Sequence, residues 1–250
     1  MKKIIAGALT CLLVLASCTS ESTSESTPET PQQTVLLKKV IATYNNGQSI
    51  TFNYTYNGSK LDKITATDGS VDKYSYEGDL IKKVEFFNPD GSPNSTESYL
   101  YNTDNKLIKK VNYSYDVNAT QETSYIYNND GTVTSELPYS AQTIRREKMT
   151  FLNGEVVSLQ EYSHLDGTPS FSWNYSYDNG NKPTKGIRGF DKIFFKSLSL
   201  KGCNRNLVSA VRTDGVNSIQ NEYTYYPDGF AKTQKETYNS TVTNYQYFYE

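Results

Sequence analysis

The chain has 250 residues, with 25 Lys or Arg against 27 Asp or Glu, and its formal charge of −2 offers no basic field for nucleic acid. Hydrophobic residues make up 36% and the mean hydropathy is −0.65, which leaves little for a thick aliphatic core, while 22 tyrosines supply rings whose hydroxyls can stay wet. One histidine and three cysteines exclude a histidine-rich metal site and a disulfide scaffold.

In chain order, Met1, Lys2 and Lys3 precede an apolar run from Ile4 to Ala16, a charged stretch and hydrophobic stretch too short to span a bilayer as a mature helix. Residues 1–17 therefore read as a secretory signal. Leu15-Ala16-Ser17-Cys18 resembles the bacterial lipobox, and the resemblance implies that Cys18 becomes the acylated first residue of a lipoprotein. The membrane is then a partner through that anchor, and the expected location is the cell envelope, at the outer membrane. Residues 18–33 continue as a Ser, Thr, Glu and Pro tether that can bury nothing. Cys11 leaves with the signal, so Cys203 is alone in the folded part and is expected to act as a small buried hydrophobe.

Residues 34–250 carry a repeat. Tyr-x-Tyr pairs begin at Tyr54, Tyr74, Tyr99, Tyr125, Tyr175, Tyr223 and Tyr245, with Met149 and Phe151 as a degenerate copy, a period of about two dozen residues. Residues two apart on a strand share a face, so each pair projects two rings together. Thr55, Ser75, Ser114, Ser176 and Thr224, each between two tyrosines, favour a wet opposite face, a pattern broken by Leu100 and Ile126. Asn57-Gly58, Asp68-Gly69, Glu77-Gly78, Asp90-Gly91, Asp130-Gly131 and further copies supply hairpin turns.

The apolar pair after each turn is spaced by three: Leu61 and Ile64, Ile81 and Val84, Ile108 and Val111, Val156 and Leu159, Val208 and Val211. On a flat strand these would face opposite ways, so the first residue either closes the turn or sits at a bulge. Lys82, Lys83, Lys109 and Lys110 are expected to solvate the outer face. At roughly 12 residues per strand and turn, about 18 strands are expected. The fold class is all-β: an antiparallel meander of repeated hairpins forming a large curled sheet or half-barrel, since long twisted sheets curl. An irregular insertion at residues 181–206, with room for one short helical turn, brings Phe190, Ile193, Phe194 and Leu198 to plug the concave side; Phe190, Phe194 and Phe195 are the candidate ligand-gripping residues.

The cadence of Tyr-x-Tyr, Asn or Asp, Gly and Leu-x-Lys-Val resembles the tyrosine–aspartate (YD, or RHS-like) repeats, most closely the short YD-like bacterial lipoproteins. The likeness covers about residues 35–250, including Asn181, Pro183 and Gly189-Phe190-Asp191-Lys192. It implies a curling strip of strands, too few for a closed cocoon, and supplies no catalytic residue.

No catalytic motif stands out. His164 lies in a turn beside Asp166-Gly167, no Gly-x-Ser-x-Gly elbow exists to present a serine, and Asp130-Gly131 lacks the ligand spacing of a calcium loop. No metal and no cofactor are expected, and the chain is not read as an enzyme. The leading reading is a membrane-anchored binding or scaffold module whose tyrosines contact a glycan, a peptide or an envelope protein. A carrier of a lipid or other apolar ligand is the alternative, and an unrecognised hydrolase the third.

Overall fold

The structure, a computed structural model, describes residues 34–138, 143–193 and 205–250. The signal, Cys18, the tether, Cys203, Phe194, Phe195 and Leu198 lie outside the described residues. The strands are β1 Leu37–Tyr44, β2 Ser49–Asn57, β3 Lys60–Ala66, β4 Val71–Glu77, β5 Leu80–Phe87, β6 Pro93–Tyr101, β7 Leu107–Ser114 and β8 Ala119–Tyr127. They continue as β9 Val133–Pro138, β10 Ile144–Leu152, β11 Glu155–Tyr162, β12 Pro169–Asn181, β13 Arg205–Arg212, β14 Ser218–Tyr225, β15 Ala231–Tyr238 and β16 Thr241–Tyr249. Each pairs antiparallel with its sequence neighbours, as the hairpin turns require.

The sheet closes. β1 pairs with β16 from Leu37 opposite Tyr249 to Tyr44 opposite Thr243, and Leu36 and Glu250 exchange backbone hydrogen bonds of 3.2 and 3.0 Å just beyond. The expected curled sheet or half-barrel is thus a closed 16-stranded barrel, in which no edge strand is left to protect. The described residues hold 16 strands against the expected 18, because residues 182–193 of the insertion take up chain length with one 3-10 turn and no strand.

The spacing of three is a bulge repeated around the barrel. Thr55 pairs with Lys63 but Tyr56 with Leu61, so Asp62 is the extra residue; the same slip leaves Lys82, Ile108, Val157, Val208 and Lys232 unpaired on β5, β7, β11, β13 and β15, and Lys38 on β1. One extra residue restores the inward face, which is why Leu61, Ile81, Val84, Val156 and Leu159 are all essentially fully buried. In two repeats the true pair is one residue earlier than expected. Leu107 with Lys110 and Leu207 with Ala210 face inward, whereas Ile108 and Val211 are exposed. Lys110 accordingly departs from the outward role expected of it, and its ammonium lies 3.6 Å from Glu97 with both side chains largely covered.

The bulges sit at one end of the barrel, the end that also holds the chain entry and the insertion. Strand pairs joined by a turn at the far end separate here: the backbone ladder stops at Lys83–Ser98 between β5 and β6 and at Lys109–Ser124 between β7 and β8. At five places the hydroxyl of a strand-end tyrosine takes over. Tyr101 donates to the Ile81 carbonyl at 2.7 Å, Tyr127 to Leu107 at 3.1 Å, Tyr177 to Val156 at 2.7 Å, Tyr249 to Ala231 at 2.7 Å and Tyr56 to Leu37 at 2.5 Å. Each phenol meets the carbonyl beside a bulge that the ladder would otherwise leave unpaired, worth about 1 kcal/mol net and costly to remove. Tyr76 serves in the opposite sense, accepting the Leu61 N–H at 3.0 Å.

The first tyrosines fill the interior. Tyr99 and Tyr125 pack with Ile81, Val84, Leu107, Met149, Leu159 and Tyr175 in one cluster, and Leu37, Val40, Ala231 and Tyr247 form a second. The outer face is polar and laced with ion pairs such as Lys83–Glu85, Lys109–Glu122, Arg146–Glu136 and Lys235–Glu222; the expected exceptions, Leu100 and Ile126, are exposed on it.

Candidate functional site

The insertion crosses the barrel end. Arg188 donates its backbone N–H to Ser59 at 2.9 Å, and Gly189, in the left-handed region at φ 80°, lies where an added Cβ would sit 2.8 Å from the Asp79 carbonyl. The expected helical turn is a single 3-10 turn, Phe190–Lys192. Phe190 places its ring 5.8 Å from that of Tyr74, and Ile193 is buried in the larger cluster. Both plug the interior as expected. Phe190 does not line the luminal cavity described next.

The larger cluster draws on β5 to β13, while the opposite arc, β13 to β16 with β1 to β4, keeps a partly open cavity of about 340 Å³. Its apolar wall is Leu37, Val40, Phe52, Ile64, Leu207 and Ile219; the rings of Tyr54, Tyr223, Tyr245 and Tyr247 and the polar groups of Asp72, Asn221, Gln234 and Glu236 converge on it. Lys182, Pro183 and Thr184 of the insertion border it.

A hydrogen-bonded chain fixes the two amides. Asn221 donates to the Leu207 carbonyl at 2.8 Å, Gln234 donates to the Asn221 amide oxygen at 2.8 Å, and Tyr247 donates to the Gln234 amide oxygen. Tyr223 also donates to Leu207 at 3.1 Å, and Tyr245 to Glu236 at 3.4 Å. Because every amide orientation is determined by a partner, the wall is preorganised.

Electrostatics keep these phenols protonated. Burial, and next the charge of Asp72, holds Tyr54 well above the ordinary phenol range; burial, then Glu236, pushes Tyr245 up to about 12. They remain neutral hydrogen-bonding groups at physiological pH. On the other side of the interior, Arg145 bridges Glu147 at 3.1 Å and Glu161 at 3.6 Å, and Trp173 donates its ring N–H to Glu161 at 2.9 Å. Burial raises the Glu147 carboxyl above its usual range against the pull of Arg145. Among the described residues no cluster of His, Cys, Asp or Glu could hold a metal ion.

Sequence reasoning did not find this site. The missed signal is a position: Asp72 and Asn221 stand two residues before Tyr74 and Tyr223, and so face inward with them. Gln234 and Glu236 follow the bulge on β15, where plain alternation counted from Ala231 gives the wrong face.

No protein-family model and no curated protein matches the chain. Among solved structures, a porin-like protein from Bacteroides uniformis superposes with a TM-score of 0.53 at 12% identity, over 86% of this chain and 96% of that one. The fold is similar to that of a porin-like barrel. At such identity the likeness speaks for the fold alone, and the use made of the barrel rests on this chain's own residues.

Proposed function

We propose that the protein is a cell-envelope lipoprotein, anchored through Cys18 at the outer membrane, whose barrel binds and carries a small ligand in its lumen. The observation that carries this reading is the luminal cavity, with one apolar wall and a few fixed polar groups, the usual make-up of a small-molecule site, at about the lower end of the usual size range. The tyrosines serve as core and pocket wall rather than as an outer contact surface.

The porin-like neighbour raises a membrane-spanning pore as a competing use, but the outer face here argues against it. A spanning barrel shows lipid an apolar band about 25 Å tall and keeps polar groups inside, and a charge on the lipid face at mid-depth costs about 2–4 kcal/mol. This barrel has Lys, Arg and Glu along its outer strands and rings within. The lipid anchor is therefore the means of attachment in this reading. Native mass spectrometry of gently purified protein is the test: a ligand of fixed mass, displaced when Ile219→Phe fills the cavity, supports the carrier, and repeated recovery of empty protein that takes up no small molecule from a library refutes it.

A further inference from the structure

Resting on the carrier reading, the hydrogen bonds within the cavity wall narrow the ligand. Asn221 and Gln234 each use both ends of the amide on protein partners: Asn221 donates to Leu207 and accepts from Gln234, which in turn accepts from Tyr247. The hydroxyls of Tyr223 and Tyr245 are donated to Leu207 and Glu236. The charged groups of the lining, Asp72, Glu236 and Lys182, likewise hold partners within the protein. Among the described residues no fully buried side-chain nitrogen or oxygen lacks a hydrogen-bond partner. A site built to recognise a polar ligand keeps donors or acceptors that only the ligand satisfies. The polar groups of this wall are committed to one another, and the rest of it is carbon: Leu37, Val40 and Ile219 with the rings of Phe52, Tyr54 and Tyr223.

We propose that the luminal cavity selects an uncharged, compact ring molecule carrying no group that needs a hydrogen bond. At the packing density of a protein interior, a space of about 340 Å³ holds on the order of a dozen non-hydrogen atoms, the size of a substituted bicyclic ring. Ring contacts with the aromatic wall add to the area buried, and a rigid ligand loses little freedom against a fixed surface. A hydroxyl entering this space gives up its water without gaining a partner. An ion of either sign does so at greater cost.

Naphthalene fluorescence on the full chain, with four probes of nearly one shape, tests this: 1-ethylnaphthalene, 1-naphthalenemethanol, 1-naphthylmethylammonium and 1-naphthoate. The hydrocarbon is expected to bind about fivefold more tightly than the alcohol and at least about tenfold more tightly than either ion. Tyr247→Phe removes the donor on the Gln234 amide oxygen, so the alcohol's O–H can take its place and its disadvantage should shrink at least about threefold. Circular dichroism checks that this variant is folded, and the ranking of the probes on the unaltered chain tests the proposal without it. If the alcohol or an ion binds as tightly as the hydrocarbon and Ile219→Phe blocks it, or if folded Tyr247→Phe keeps the alcohol's full disadvantage, the assignment is wrong while the carrier reading stands. If no probe binds, or if all bind Ile219→Phe as well as the unaltered chain, the cavity is not the site and both fall.

Discussion

Alkaline unfolding gives the sharpest test of a tyrosine-filled interior. Burial is the first cause that holds Tyr54, Tyr74, Tyr99, Tyr125, Tyr175, Tyr223 and Tyr247 well above the ordinary phenol range. A group whose pKa is raised on folding keeps its proton in the folded chain and gives it up in the unfolded one. Below about pH 10 both states are protonated and the stability is whole; above it, stability falls as pH rises. One unit above that value each shielded phenol costs about 1.4 kcal/mol, so these seven remove roughly 10 kcal/mol by about pH 11, comparable to the whole stability of an ordinary domain. Half-exposed rings such as Tyr225, which is 39% exposed, add little because water screens them. The expected outcome is a cooperative loss of sheet circular dichroism between about pH 10 and 11.5, with the phenolate absorbance of the buried rings rising in the same step. Gradual phenolate formation centred near pH 10 with the sheet signal intact would refute the burial argument.

Three further outcomes follow. Tyr101→Phe should cost about 1–3 kcal/mol in denaturant unfolding by orphaning the Ile81 carbonyl, whereas Tyr238→Phe, 46% exposed, should stay within about 0.5 kcal/mol; equal effects would remove the structural role assigned to the phenol. Gly189→Ala puts a side chain into left-handed backbone at about 1–2 kcal/mol and against the Asp79 carbonyl, so limited proteolysis should open the insertion between residues 182 and 193, and an unchanged digest contradicts its docking. Cys18→Ser should move the protein from the membrane to the aqueous fraction without detergent, given the polar outer face; retention in the membrane would mean that the barrel itself engages lipid.

Much of the barrel was legible in the sequence because its physics is local. Tyr-x-Tyr fixes a face and Asn-Gly or Asp-Gly fixes a turn, so strand order and inward rings follow from short windows. Closure was not legible: nothing in Leu37–Tyr44 taken alone says that Tyr249 will lie beside it, since the first and last strands meet only after 16 small rotations accumulate. The bulges were half legible. The spacing of three announced them at Leu61 and Ile81, but at Leu107 and Leu207 an extra apolar neighbour, Ile108 or Val208, disguised which residue turns inward. The cavity was least legible, because Asp72 and Glu236 are separated in sequence and each looks like a surface carboxylate until the register is known.

The seam between β16 and β1 is built like the hairpins at the same end, with a bulge at Lys38 and the phenol of Tyr56 on the Leu37 carbonyl, and lacks only a connecting turn. The ring therefore has no privileged starting point. Bridging Glu250 to Leu36 with a short Asn-Gly linker and cutting the backbone at Asn57-Gly58 instead would yield a circular permutant with the same neighbours throughout.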